Sequence, residues 1–213
     1  MSATICPTIT AEESHGYRAQ IERIEHFATR WHIDVGDGIF EPRELIALDK
    51  LWWPGNVQVD LHVMFQNPTA HTELFVVMHP RLVIIQAESD GDFDTFADTL
   101  HRHGIQVGVA LLAGTPAQAL ASSIEKIDHV LIFSGNIGYQ GGSTADLHLL
   151  EKAKYLRSLK PTLEIGWDGG VNDENAAAIA AGGVDVLNVG GFIHNAHNPD
   201  AAYASLVQAV SQK

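Results

Sequence analysis

The sequence has little of what marks disulfide-bonded, nucleic-acid-binding or membrane-spanning proteins. Its 213 residues include one cysteine, Cys6, which excludes an internal disulfide. Acidic residues outnumber Lys and Arg by 26 to 13, and the formal net charge of −13 argues against binding to nucleic acid or to anionic membranes. There is no apolar run long enough for a signal segment or a membrane span. We therefore expect a cytoplasmic globular protein with one domain over residues 1–213.

Short β-branched runs alternate with amphipathic segments along the chain. The predicted strands are ATIC, RWHIDV, VQVDLHV, LVIIQA, IQVGVAL, HVLIFS, TLEIGW and VDVLNV, and the predicted helical segments are 11–30, 92–104, 115–127, 144–159 and 172–183. Strands that alternate with helices predict an α/β fold with a parallel sheet. Eight strands are the number that closes a (β/α)8 TIM barrel, and a doubly wound open sheet is the alternative.

Polar side chains lie near the ends of three of these strands. His32 and Asp34 share one strand face because side chains alternate along a strand, and His62 and Asp168 end two other strands. In a barrel, the carboxyl ends of the strands surround the active site. Two imidazoles and two carboxylates form a suitable ligand set for Zn, Fe(II) or Mn. Each residue also has a simpler explanation, since a strand His is usually hydrogen-bonded and an Asp can cap a turn.

Glycine clusters follow the last three predicted strands, at 136–142, 168–175 and 189–192. Glycine lets backbone N–H groups approach an anion, and a following helix adds its positive end. Lys and Arg are absent from 131–150 and 161–212, so a phosphate here must be held by backbone amides and helix dipoles. The alternative is that these are ordinary turns in which glycine supplies a positive φ.

The motifs WHIDVGDGIFEP, VDLHVMFQNP, VALLAGTP, NIGYQGG and EIGWDGGVNDENAAAIAAGGVDVLNVGGFI resemble, in order, those of the ribulose-phosphate 3-epimerase family. The N-terminal ICPTITAEE resembles its opening strand. The resemblance implies a (β/α)8 barrel and an isomerase of carbohydrate metabolism, in the pentose phosphate pathway. Such an enzyme would interconvert D-ribulose 5-phosphate and D-xylulose 5-phosphate by two-base proton transfer through a metal-stabilised enediolate.

The resemblance also assigns roles to residues of this chain. It implies one divalent metal ion on His32, Asp34, His62 and Asp168, with Asp34 and Asp168 as the acid/base pair. It further implies that His62 contacts the substrate and that Thr8 stands where the family has a substrate-contacting serine. The implied phosphate contacts are Gly138, Gly141, Gly142, Gly169, Gly170, Gly190 and Gly191.

Several positions depart from the family pattern. Gly36 and Phe133 stand where Met is usual, Gln86 replaces a His, Gln140 is an extra residue and Gly191 replaces a Ser. The loss of bulk at Gly36 leaves a six-carbon ketose phosphate, such as allulose 6-phosphate, as an alternative substrate. A non-catalytic sugar-phosphate-binding barrel is a second alternative, against which two opposed carboxylates argue. The sequence leaves open the metal, the sugar and assembly into a homo-oligomer.

Overall fold

Eight parallel strands close into a barrel in the computed structural model, which describes residues 3–211. The order of the strands around the barrel follows the chain, and the last strand pairs with the first. The strands are β1 (Thr4–Thr10), β2 (Arg30–Gly36), β3 (Gln58–Met64), β4 (Leu82–Gln86), β5 (Gln106–Leu111), β6 (His129–Phe133), β7 (Glu164–Asp168) and β8 (Val186–Val189). The predicted (β/α)8 barrel is confirmed, and the open sheet was wrong.

The α-helices surround the barrel of strands. Within residues 3–211 they are α1 (Ser14–Ile24), α2 (Thr72–Met78), α3 (Phe93–Arg102), α4 (Leu150–Leu159), α5 (Ala176–Ala181), α6 (Gly191–His194) and α7 (Pro199–Ser211). In this part of the chain none of them is both long and apolar enough to cross a bilayer. Two connections differ from the regular pattern: residues 37–57 and 112–128 form 3-10 helices but no α-helix.

The helix predicted over 115–127 was wrong. This segment forms two 3-10 helices, Ala117–Leu120 and Ile124–Lys126. Ser122 and Ser123 separate them, and serine disfavours a helix interior because its hydroxyl competes for backbone hydrogen bonds. The sequence pattern also missed α2, α6 and α7, of which the first two are too short to show a clear helical period.

The barrel interior has an apolar side and a polar side. Leu82, Ile84, Ala110 and Leu131 fill the interior next to β4, β5 and β6. Strand β1 is longer than the predicted ATIC and continues through Thr8 and Thr10, which pair in register with His32 and Asp34 of β2. The polar side of the interior comprises the buried residues Thr8, His32, Asp34, His62, Gln86 and Asn188.

Candidate active site

Four polar side chains meet at the carboxyl ends of β2, β3 and β7. His32 Nε2 lies 3.2 Å from Asp34 Oδ1 and 3.5 Å from Asp168 Oδ2, and His62 Nδ1 lies 2.9 Å from Asp34 Oδ1. One ligand atom from each residue can be chosen so that all four lie within 4.8 Å of one another. The structure therefore brings together the four residues that the sequence singled out from three separate strands.

The carboxyl groups of Asp34 and Asp168 have pKa values shifted in opposite directions. Burial acts to raise the pKa of Asp34, but the hydrogen bond from His62 and the charges of His32 and His62 outweigh it and hold this pKa well below its usual range. Burial raises the pKa of Asp168 to about 7, and the negative charge of Asp34 adds to the shift. Two carboxyl groups in one buried site thus favour different protonation states in the absence of a cation.

These residues fit a divalent metal ion. His32 is fully buried, and neither of its ring nitrogens has a hydrogen-bond partner among residues 3–211. An imidazole without partners costs free energy unless a ligand satisfies it. Two carboxylates crowded beside it repel one another unless positive charge lies between them. Imidazole nitrogens and carboxylate oxygens are ligands that Zn, Fe(II) and Mn all accept, so the donor set does not select among these ions.

Two residues that hold this cluster were not assigned from the sequence. Thr10 donates its hydroxyl proton to Asp34 Oδ2 at 2.7 Å, and the amide of Gln86 lies 2.8 Å from His62 Nε2. Both contacts come from neighbouring strands, β1 and β4. For Thr10 a signal existed, since it shares a strand face with Thr8. The contact of Gln86 depends on the position of β4 relative to β3, which the sequence does not reveal.

A cavity of about 230 Å³ opens above the cluster. Thr8, Asp34 and Asp168 line it, whereas His32 and His62 are fully buried and are not among its lining residues. No Lys or Arg is among the described residues that line it. Every glycine with an implied phosphate contact lines this cavity: Gly138, Gly141, Gly142, Gly169, Gly170, Gly190 and Gly191.

A family model described as "Ribulose-phosphate 3 epimerase family" matches residues 4–194. The chain belongs to the ribulose-phosphate 3-epimerase family. It is accordingly an isomerase acting on carbohydrates and their derivatives. A ribulose-phosphate 3-epimerase of Helicobacter pylori (strain J99 / ATCC 700824) is 27% identical over 209 residues, which cover 95% of each chain. One of Schizosaccharomyces pombe is 25% identical, over 99% of this chain and 95% of that one.

The solved structures with the same fold include a 3-hexulose-6-phosphate synthase from Salmonella typhimurium. It superposes with a TM-score of 0.76 over 100% of this chain and 99% of that chain, at 16% sequence identity. At this identity the likeness concerns the fold alone.

The departure from the family pattern at Gly36 does not enlarge the cavity. A Cβ on Gly36 would lie 2.7 Å from Glu41 Oε1 and 3.3 Å from Leu45 Cγ. Residues of the β2–β3 connection therefore already fill the space beside this glycine. The loss of bulk at Gly36 therefore no longer favours a six-carbon substrate.

The extra residue, Gln140, anchors the loop that follows β6. Its side-chain amide donates to the carbonyl oxygen of Thr8 and to Gln20 Oε1, each at 2.9 Å. The loop, residues 134–146, is thereby fastened to β1 and α1 across the mouth of the cavity. On its other side, Gly138 lies against the buried carboxylate of Glu41, which a Cβ at this position would strike.

Proposed function

We propose that this chain is a metal-dependent 3-epimerase of a ketose phosphate, with D-ribulose 5-phosphate and D-xylulose 5-phosphate as its substrate pair. One observation carries the proposal: two carboxyl groups face one cavity from strands β2 and β7, beside two buried imidazoles. The choice of sugar follows from the relatives in Helicobacter pylori and Schizosaccharomyces pombe, which are ribulose-phosphate 3-epimerases. We expect the enzyme to work in the cytoplasm on this small-molecule substrate.

The chemistry requires a proton to leave one face of C3 and another to arrive on the opposite face. Asp34 would serve one face and Asp168 the other, because β8 and β1 separate their strands around the barrel. Thr10 holds Asp34 through Oδ2, which leaves Oδ1 directed at His32 and His62. One divalent ion bound by His32, Asp34, His62 and Asp168 would supply Lewis-acid stabilisation of the charge that develops on the substrate oxygens.

The phosphate would occupy the side of the cavity formed by the glycine turns after β6, β7 and β8. Glycine at 169 is required there: its φ is +108°, and a Cβ would lie 2.3 Å from the backbone nitrogen of Gly135. Such close packing of backbone leaves amide groups, rather than side chains, to face an anion. Helix α6 has only four residues, so we assign the phosphate to the turns rather than to a helix dipole.

The test is an epimerisation assay on a panel of five- and six-carbon ketose phosphates, with metal-depleted and metal-reloaded protein. Turnover of ribulose 5-phosphate that returns with metal supports the proposal. Turnover of a six-carbon ketose phosphate alone would change the substrate, and binding without turnover would indicate a sugar-phosphate-binding barrel.

The roles of the two aspartates are tested with Asp34→Asn and Asp168→Asn, each first checked for retained metal. Asn keeps the size of the side chain but cannot act as a base. Each variant should lose about 10²–10⁴-fold or more in epimerisation. In heavy water each should still exchange the C3 proton of one epimer, and the two variants should label different epimers. A variant that epimerises at the wild-type rate would refute the two-base mechanism.

A further inference from the structure

Asn188 is a polar residue in an apolar strand. It belongs to β8, whose four residues Val186–Val189 are all buried, and it is itself only 2% exposed. Neither Oδ1 nor Nδ2 has a hydrogen-bond partner among residues 3–211. A buried amide without partners lowers stability, so a protein retains one chiefly where water or a ligand satisfies it.

Asn188 is one of the residues that line the cavity of the candidate active site. Asn188 pairs in register with Asp168 of β7, and neighbouring strands lie about 4.8 Å apart, so the two side chains are neighbours in the barrel. Gly190, one of the glycines beside the proposed phosphate position, follows two residues later on the same segment. Asn188 therefore lies on the side of the cavity that connects the acid/base group Asp168 with the phosphate turns.

The chemistry of the side chain restricts what it can bind. A neutral amide offers both a donor and an acceptor, and here both are free. A phosphate oxygen accepts hydrogen bonds and would leave Oδ1 unsatisfied, whereas a hydroxyl group donates and accepts and so satisfies both atoms. Thr8, whose hydroxyl also lacks a partner in this part of the chain, lines the same cavity.

We propose that Asn188 binds the sugar hydroxyl on the carbon between the reacting carbon and the phosphate-bearing carbon, and that it thereby helps to select the substrate. In a pentulose 5-phosphate this is the hydroxyl on C4. The inference rests on the proposed function, since it takes the occupant of the cavity to be a ketose phosphate. It adds a residue that acts on substrate selection rather than on the proton transfer itself.

The first measurement needs no substrate. Asn188→Leu replaces the amide by an apolar side chain of similar size, and Asn56→Leu makes the same change at an exposed position of the β2–β3 connection. If Asn188 is kept for a ligand, its replacement removes an unsatisfied buried amide, and the unfolding midpoint of the ligand-free protein should rise by about 2–4 °C. A fall in the midpoint, relative to Asn56→Leu, would identify a structural role and overturn the proposal.

The second measurement compares binding of D-ribulose 5-phosphate and its 4-deoxy analogue by calorimetry. Asn188→Leu should weaken binding of ribulose 5-phosphate about tenfold or more and leave binding of the 4-deoxy analogue unchanged. Equal effects on both compounds, or on neither, would overturn the role of Asn188 while the proposed function stands. If the wild-type protein binds neither compound, the proposed function fails and this inference fails with it.

Discussion

Gln86 connects to the candidate metal cluster through His62. Its Nε2 donates to His62 Nε2 at 2.8 Å, and His62 in turn directs the proton on Nδ1 at Asp34 Oδ1, 2.9 Å away. For Nδ1 to bind a metal, the ring proton must be on Nε2 instead. Rotation of the Gln86 amide would then present Oε1, which has no other partner among the described residues, to accept that proton.

We therefore expect Gln86→Leu to weaken binding of a divalent ion by about 10–100-fold, because the Nε2 proton of His62 would lose its acceptor. Gln86→His should bind metal nearly as tightly as the wild type, since an imidazole can also accept this proton. The measurement is a titration against a chromophoric chelator, with His62→Ala as the reference for loss of a ligand. Unchanged affinity in Gln86→Leu would show that Gln86 does not position His62.

At the scale of the elements, the loop after β6 and the turn after β8 meet at the cavity. A Cβ on Gly190 would lie 2.9 Å from Gln140 Cγ, while the φ of Gly190, −94°, lies outside the positive region that favours glycine. Alanine at this position should thus fold but displace the side chain that fastens the loop to β1 and α1. By contrast, Gly169 is packed against the backbone of Gly135, so its substitution would test folding more than binding.

Gly190→Ala should weaken competitive inhibition of epimerisation by inorganic phosphate about tenfold. The added methyl group would disturb the turns that are proposed to bind the phosphate. Gly114→Ala is the matched control, since a Cβ there meets no atom within 4 Å. Arg43→Gln tests the alternative that a cation binds the phosphate, since Arg43 lies over the ring of Tyr139 near the mouth of the cavity. Loss of phosphate binding in Arg43→Gln but not in Gly190→Ala would contradict the assignment to the turns.

The sequence was sufficient to predict the barrel and the residues of the cluster, because both depend on local patterns. Strand periodicity places His32 and Asp34 on one face, and parallel strands bring their carboxyl ends together. The roles of Gln86 and Asn188 depend instead on how strands align and on which atoms lack partners. The effect of Gly36 could not be predicted either, since Glu41 reaches it from the β2–β3 connection, which forms no α-helix.

At the scale of the whole molecule, the amino-terminal end of the barrel is closed by ion pairs. Asp60, only 1% exposed at its side chain, accepts from Arg30 Nε and Arg81 Nη1, each at 2.8 Å. Both arginines also contact Glu164, to which His129 is bonded at 2.8 Å. The cluster joins strands β2, β3, β6 and β7 to Arg81, which immediately precedes β4. It lies at the opposite ends of the strands from the candidate active site. In this fold, residues at the amino-terminal end of the barrel usually contribute to stability, and residues at the carboxyl end carry out the chemistry.

Asp60→Asn should therefore destabilise the protein without changing the turnover of the folded enzyme. The change removes the buried negative charge between two arginines, and breaking a buried ion pair in this way costs about 3 kcal/mol, or roughly 6–12 °C in the unfolding midpoint of a chain of this size. Glu151→Gln is the control, because it removes an exposed pair with Lys154 and should change the midpoint little. The measurement is thermal unfolding alongside kcat at a temperature where both variants are folded. Equal midpoints for the two variants would show that the amino-terminal ion cluster does not stabilise the barrel. A loss of kcat in Asp60→Asn but not in Glu151→Gln would mean that the two ends of the barrel are coupled.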